Sequence, residues 1–118
     1  MSLNVYLIET RPIDVYENGI THNLGKMAGM VTVDYYDDGD ELTLYDVLWR
    51  PDENELFYAH DLIELLERGL TELRADPEYY KKFNPLNNWG SYEGLIKFVE
   101  DYLKACGNNP MAEIRVSR

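Results

Sequence analysis

The 118-residue chain has one cysteine, Cys106, so no internal disulfide can form, which fits a reducing compartment. No apolar run approaches the roughly 18–20 residues of a membrane span. Met1 to Thr10 lacks the basic stretch and small-residue cleavage site of a signal peptide, so a cytoplasmic location is expected. Basic residues are scarce, 11 against 22 acids, for a net charge of −11. Such a chain repels phosphates, which excludes direct binding to a nucleic-acid backbone. Catalytic signatures are missing too. There is no phosphate-binding glycine loop, no metal spacing of Cys and His, and no nucleophile elbow, so no cofactor is implied.

What remains is an ordinary globular composition, 45% hydrophobic, at a length suited to one domain spanning residues 1–118. The acids are clustered. Asp34 to Asp61 holds ten of them against one base, Arg50. Such a face is either a solubilising surface or a dock for a basic protein surface. Tyrosines outnumber phenylalanines ten to three, and Tyr35, Tyr36, Tyr45 and Tyr58 fall in this acidic region. Tyrosine suits interfaces, and equally suits a small core whose hydroxyls reach water.

Residues 3–9 read as a strand that stops before Arg11-Pro12, and Asp14 to Gly19 as an irregular connection. Thr21 caps a short helix that carries Leu24, Met27 and Ala28 and closes at Gly29. Met30 to about residue 45 reads as a hairpin turning at Asp38-Gly39, with Asp37 opposite Asp40, Tyr35 opposite Leu42 and Val33 opposite Leu44. Asp37, Asp38, Asp40 and Glu41 could hold a calcium ion weakly at that turn, without forming a cage. An EF-hand does not fit, because Tyr36 and Tyr45 fall where carboxylates are needed. Val47 to Pro51 is a turn or helical piece, and Asp52 to Glu55 a charged loop.

Leu62, Ile63, Leu66, Leu70 and Leu73 stripe a helix over about 59–75, and Gly69 within it marks a close approach. Asp76-Pro77-Glu78 opens a short helix. Asn84 to Gly90 is loop chemistry. Ser91 caps a last helix over about 91–106, with Gly107 as its stop, Trp89 anchoring the loop to the core, and Cys106 as a core thiol. Ala112 to Val116 alternates as a final strand. The fold expected is α+β: a small, mostly antiparallel sheet of N-terminal strand, hairpin and C-terminal strand, covered by the two longer helices.

Three segments place polar and aromatic groups at element boundaries, where sites are commonly built. They are Thr21-His22-Asn23, Trp49-Arg50-Pro51, and 87–93 with Asn88, Trp89 and Tyr92. In one pocket, His22 would serve as a base in an exposed first turn, Arg50 would pair with an anion, and Trp89 and Tyr92 would stack on a ligand. Capping, turn formation and corner packing account for the same residues without a ligand. His60 reads as surface. Two functions follow: a non-catalytic acidic module binding a protein partner, or a small-molecule-binding protein or enzyme built on the three segments.

The runs Ile20-Thr21-His22-Asn23-Leu24 with Met27-Ala28, Leu48-Trp49-Arg50-Pro51, Asp61-Leu62-Ile63 with Gly69-Leu70, and Asn84-Pro85 followed by Trp89-Gly90-Ser91-Tyr92-Glu93 carry a resemblance. With Phe98-Val99, Tyr102-Leu103 and Ala105-Cys106, they resemble a family of short proteins of unknown function found in phage, prophage and bacterial genomes. The likeness spans roughly residues 20–106, against which the Met30 to Leu44 hairpin looks inserted. It implies an accessory role in a mobile element and transfers no activity.

Overall fold

In a computed structural model, which describes residues 1–9 and 14–118, strand β1 (Ser2–Ile8) turns Leu3, Val5 and Leu7 into the core. The Arg11-Pro12 stop lies outside the described residues. Both neighbours of β1 are antiparallel, β2 (Asp14–Thr21) on one side and β5 (Glu113–Ser117) on the other. Residues 14–19 are therefore a strand rather than an irregular connection. Asp14, Asn18 and Gly19 are poor strand formers. Pairing with β1 overrides them, and Ile20 joins Leu3 on the buried face.

The hairpin forms β3 (Thr32–Tyr35) and β4 (Glu41–Thr43), which make a separate two-stranded sheet. Its expected place beside the N-terminal strand is taken by β2. The register also differs from the sequence expectation. Asp34 faces Leu42 and Tyr35 faces Glu41, while the Tyr36 N–H donates to the Asp40 carbonyl at 2.8 Å. The loop is thus Asp37-Asp38-Gly39, with Gly39 at φ 90°, a three-residue turn in place of a two-residue one. A bulge between Thr32 and Asp34 restores the inward face, so Val31, Val33, Leu42 and Leu44 are all buried while Tyr35 is exposed.

The hairpin ends sooner than expected, because Thr43 caps helix α2 (Leu44–Trp49). Its hydroxyl accepts from the Asp46 N–H, and the Asp46 carboxylate accepts from the Thr43 N–H. A short 3-10 turn, Pro51–Asn54, replaces the charged loop. Helix α3 (Ala59–Ala75) buries Leu62, Leu66, Leu70 and Leu73 of the expected stripe, and Ile63 is only half-buried. A Cβ at Gly69 would sit 3.0 Å from Leu44 Cδ1, so the glycine admits α2 against α3. Before the hairpin, helix α1 (Gly25–Gly29) follows a 3-10 turn at His22–Leu24. After α3, Asp76 caps α4 (Pro77–Lys81) and Ser91 caps α5 (Tyr92–Asn108). Gly107 lies inside the last turn of α5 instead of stopping it. Helices α3 and α5 pack on each other and α5 packs on β2, so one core of aliphatic and aromatic side chains joins helices and sheets. Among the described residues no helix is long and apolar enough to cross a membrane.

Candidate functional site

The three polar segments meet at the Thr21–Asn23 turn. Thr21 Oγ1 accepts from the Asn23 N–H at 3.3 Å, the capping the sequence anticipates. His22 does not stand free in that turn. Its Nδ1 accepts from the indole N–H of Trp49 at 3.0 Å. Trp49 is buried and stacks on Tyr45 at 5.2 Å between ring centroids. An accepting Nδ1 places the proton of the neutral ring on Nε2, which is buried and has no hydrogen-bond partner among the described residues. His22 therefore joins the first turn to α2 as a polar strut.

On the other flank, Gly90 presses on the same turn. A Cβ there would lie 2.8 Å from Thr21 Cγ2 and 2.9 Å from Leu24 Cγ. Its φ of 110°, and the left-handed Asn88 at 61°, bend the loop so that this approach is made. Thr21, Gly90 and Ser91 border a groove of about 370 Å³ between β2 and α5, closed toward the helix middle by the Lys97–Asp101 pair at 3.1 Å.

The remaining candidates point elsewhere. Arg50 is half-exposed and paired with Glu53 at 3.0 Å. Hydrogen bonds that its guanidinium donates to the Tyr45 hydroxyl and the Glu53 carboxylate raise its pKa further. The segment around it is held by Arg118, which donates to the Trp49 carbonyl at 3.1 Å and to Asp52 at 2.8 Å. That contact lowers the pKa of Asp52. Trp89 is 67% exposed, so it is not the loop's anchor. The loop is held instead by Asn84 Oδ1, which accepts from the Tyr92 N–H at 2.8 Å, and by Gly90. Tyr92 is buried and donates its hydroxyl to the Leu73 carbonyl at 2.6 Å, which makes it a tie between α5 and α3 rather than a stacking wall.

The acidic region is gathered more closely than the sequence reveals. The Tyr36 hydroxyl donates to Asn54 Oδ1, bringing the hairpin tip against the 51–54 turn. Partial burial and the carboxylates of Asp46, Glu55 and Asp38 raise the pKa of Tyr36. Asp38 Oδ1 accepts from the Asp40 N–H at 2.9 Å. Among the described residues no three His, Cys, Asp or Glu side chains are grouped to hold a metal, so Asp37, Asp38, Asp40 and Glu41 form no cation cage. Sequence reasoning missed a second acidic feature. A groove of about 570 Å³ between β3 and α3 is bordered by Asp34, Tyr35, Glu64, Glu67 and Glu72, with Arg68 the one base among its described lining residues. Arg68 is already paired with Asp34 at 3.3 Å and with Glu64. The outward positions of α3, read together with the hairpin, were the available signal. His60 stacks on Tyr58 at 5.6 Å beside Asp61, on the surface as expected.

No protein-family model, curated protein or solved structure matches the chain.

Proposed function

We propose that the chain is a non-catalytic binding module that receives a basic protein segment on its acidic hairpin side. The observation that carries this reading is the β3–α3 groove, where Asp34, Glu64, Glu67 and Glu72 outnumber Arg68 and Tyr35 supplies an exposed ring. Arginine and lysine side chains pair with such carboxylates and stack on such rings. The hairpin tip, with Asp37, Asp38, Asp40 and Glu41 all exposed, extends the same field and would steer a basic partner inward. A cytoplasmic, accessory role in a phage or prophage accords with the sequence resemblance.

The alternative, a small-molecule site or an enzyme built on 21–23, 49–51 and 87–93, has less support. His22 Nδ1 is engaged by Trp49, Arg50 by Glu53, and the Tyr92 hydroxyl by Leu73.

The test is affinity capture with the purified protein, compared with a Glu67→Gln/Glu72→Gln/Asp40→Asn variant of unchanged melting temperature. A partner should bind at low ionic strength, leave as salt rises from about 0.1 M to 1 M and the screening length falls from roughly 10 Å to 3 Å, and ignore the variant. Capture that resists salt, or that the variant retains, would overturn the reading.

A further inference from the structure

Seven of the described bases form an ion pair with a carboxylate. Among the described residues Lys26, Lys82 and Lys104 do not. In a chain with twice as many acids as bases, an unpaired lysine is unexpected. Two of these three border the same cleft, a cavity of about 540 Å³ between α1 and the loop that joins α4 to α5. No acid is among its described lining residues.

Two of the three carboxamides that line this cleft are oriented by the backbone. Asn84 Oδ1 accepts from the Tyr92 N–H, and Asn87 Oδ1 accepts from the Trp89 N–H at 3.0 Å. A backbone N–H can bond only to the oxygen of an amide, so both side chains are left with their NH2 donors to offer. Lys26 is held with its ammonium 5.9 Å from the Phe83 ring centroid, and Lys82 with its own 5.7 Å from the Tyr79 centroid. Two unpaired lysines and two asparagines with uncommitted NH2 donors thus line a space whose described lining offers an anion no opposing carboxylate. Phe83 and the fully exposed Leu86 add apolar surface beside them.

We propose that this cleft binds a small organic anion, a carboxylate or phosphate monoester bearing a compact apolar group. The charged end would lie at Lys26, Lys82 and the NH2 donors of Asn84 and Asn87, and the apolar end against Phe83 and Leu86. The volume falls within the range of small-ligand sites. The net charge of −11 selects for low charge in the ligand, because repulsion from the whole protein grows with each charge the ligand carries. A nucleic acid or a strongly acidic peptide is penalised most.

The experiment is an amide-resolved NMR titration with phenylacetate, with phenyl phosphate, and with benzyl alcohol as the uncharged control. Both anions should give saturable shifts confined to residues 23–26 and 82–87, and the tighter of the two identifies carboxylate or phosphate as the preferred head group. Lys26→Gln/Lys82→Gln should weaken binding on the order of tenfold, as the loss of two exposed ion pairs predicts. Lys104→Gln removes the third unpaired lysine at the same cost in net charge as Lys82→Gln alone and should leave affinity unchanged. Exposed Lys82→Gln alone should weaken binding by a smaller factor, which covers a failure of the double variant to fold. Shifts that never saturate, that benzyl alcohol reproduces, or that survive both lysine substitutions would overturn the proposal. None of these residues belongs to the acidic face, so the two proposals fail independently.

Discussion

Trp49 and His22, 27 positions apart, are joined by one hydrogen bond from indole to imidazole, and the indole it satisfies is 1% exposed. Cutting that bond leaves a buried N–H unpaired, which costs about 1–3 kcal/mol. His22→Ala should therefore lower stability by that amount. Trp89→Ala, at a ring 67% exposed, should change it by no more than about 0.5 kcal/mol. Urea midpoints of the two variants check the order, which reverses the one expected from a loop anchor and an exposed first-turn histidine. Equal midpoints, or a larger loss at Trp89, would remove the strut assigned to His22.

Helix α5 carries two buried tyrosines in opposite circumstances. The Tyr92 hydroxyl reaches the Leu73 carbonyl at 2.6 Å, one of the last carbonyls of α3 and so without a partner in its own helix. The Tyr102 hydroxyl is buried and has no partner among the described residues, while its ring stacks on Tyr16 at 5.8 Å. Tyr92→Phe should cost about 1–2 kcal/mol, whereas Tyr102→Phe should be neutral or stabilising, since it removes an unsatisfied polar group and keeps the ring. Thermal unfolding of the pair is the check, and a large loss from Tyr102→Phe would reveal a partner for that hydroxyl.

Most of the helices were legible because their signals are local. The stripe from Leu62 to Leu73, the Ser91 and Asp76 caps and the hydrophobic alternation at Ile114 and Val116 each declare an element without reference to the rest of the chain. Strand β2 was not legible. Asp14, Asn18 and Gly19 interrupt its strand formers Val15, Tyr16 and Ile20, and its identity comes from pairing with β1. The hairpin was visible but its register was not. Asp38-Gly39 fits a two-residue turn as well as a three-residue one, and the bulge that decides between them depends on burying Val33 and Leu42 against the core. At the candidate site, the capping role of Thr21 was readable. The His22–Trp49 bond and the Tyr92–Leu73 bond were not, because each joins residues 19 or more positions apart. Nor was the unpaired state of Lys26 and Lys82, a property of the whole charge arrangement.

Two glycines with positive φ separate backbone strain from steric contact. A methyl group added at Gly39, where φ is 90°, would meet nothing within 4 Å, so Gly39→Ala should cost only the conformational penalty, about 1 kcal/mol. At Gly90, where φ is 110°, the same methyl would be driven into Thr21 and Leu24, adding about 1–3 kcal/mol of overpacking to that penalty. The difference between the two variants in denaturant unfolding measures how tightly the loop is pressed on the Thr21–Asn23 turn. Equal costs would mean that the loop yields.

Cys106 ties stability to alkaline pH. Its side chain is fully buried, and burial pushes the thiol pKa up to about 12, while burial likewise holds the neighbouring Tyr102 well above its usual value. An unfolded cysteine ionises near pH 8.5. The folded pKa is the higher one, so the contribution is intact below about pH 8.5 and is lost as pH rises, because the unfolded chain sheds its proton first. The loss should approach about 1.4 kcal/mol per pH unit until the folded thiol itself titrates. Cys106→Ala should lower stability at pH 7 by leaving a small cavity, yet its melting temperature should fall less steeply between about pH 8.5 and 10 than that of the unaltered protein. Over that interval the raised tyrosines Tyr80 and Tyr92, whose shifts come from burial and from charges other than Cys106, act alike in both proteins and cancel from the comparison. The same burial predicts that a thiol-reactive disulfide reagent labels Cys106 at about pH 8 only as fast as the protein opens, and promptly in urea. Parallel melting curves across the alkaline range, or rapid labelling of the native protein, would show that the thiol is not held neutral by the core.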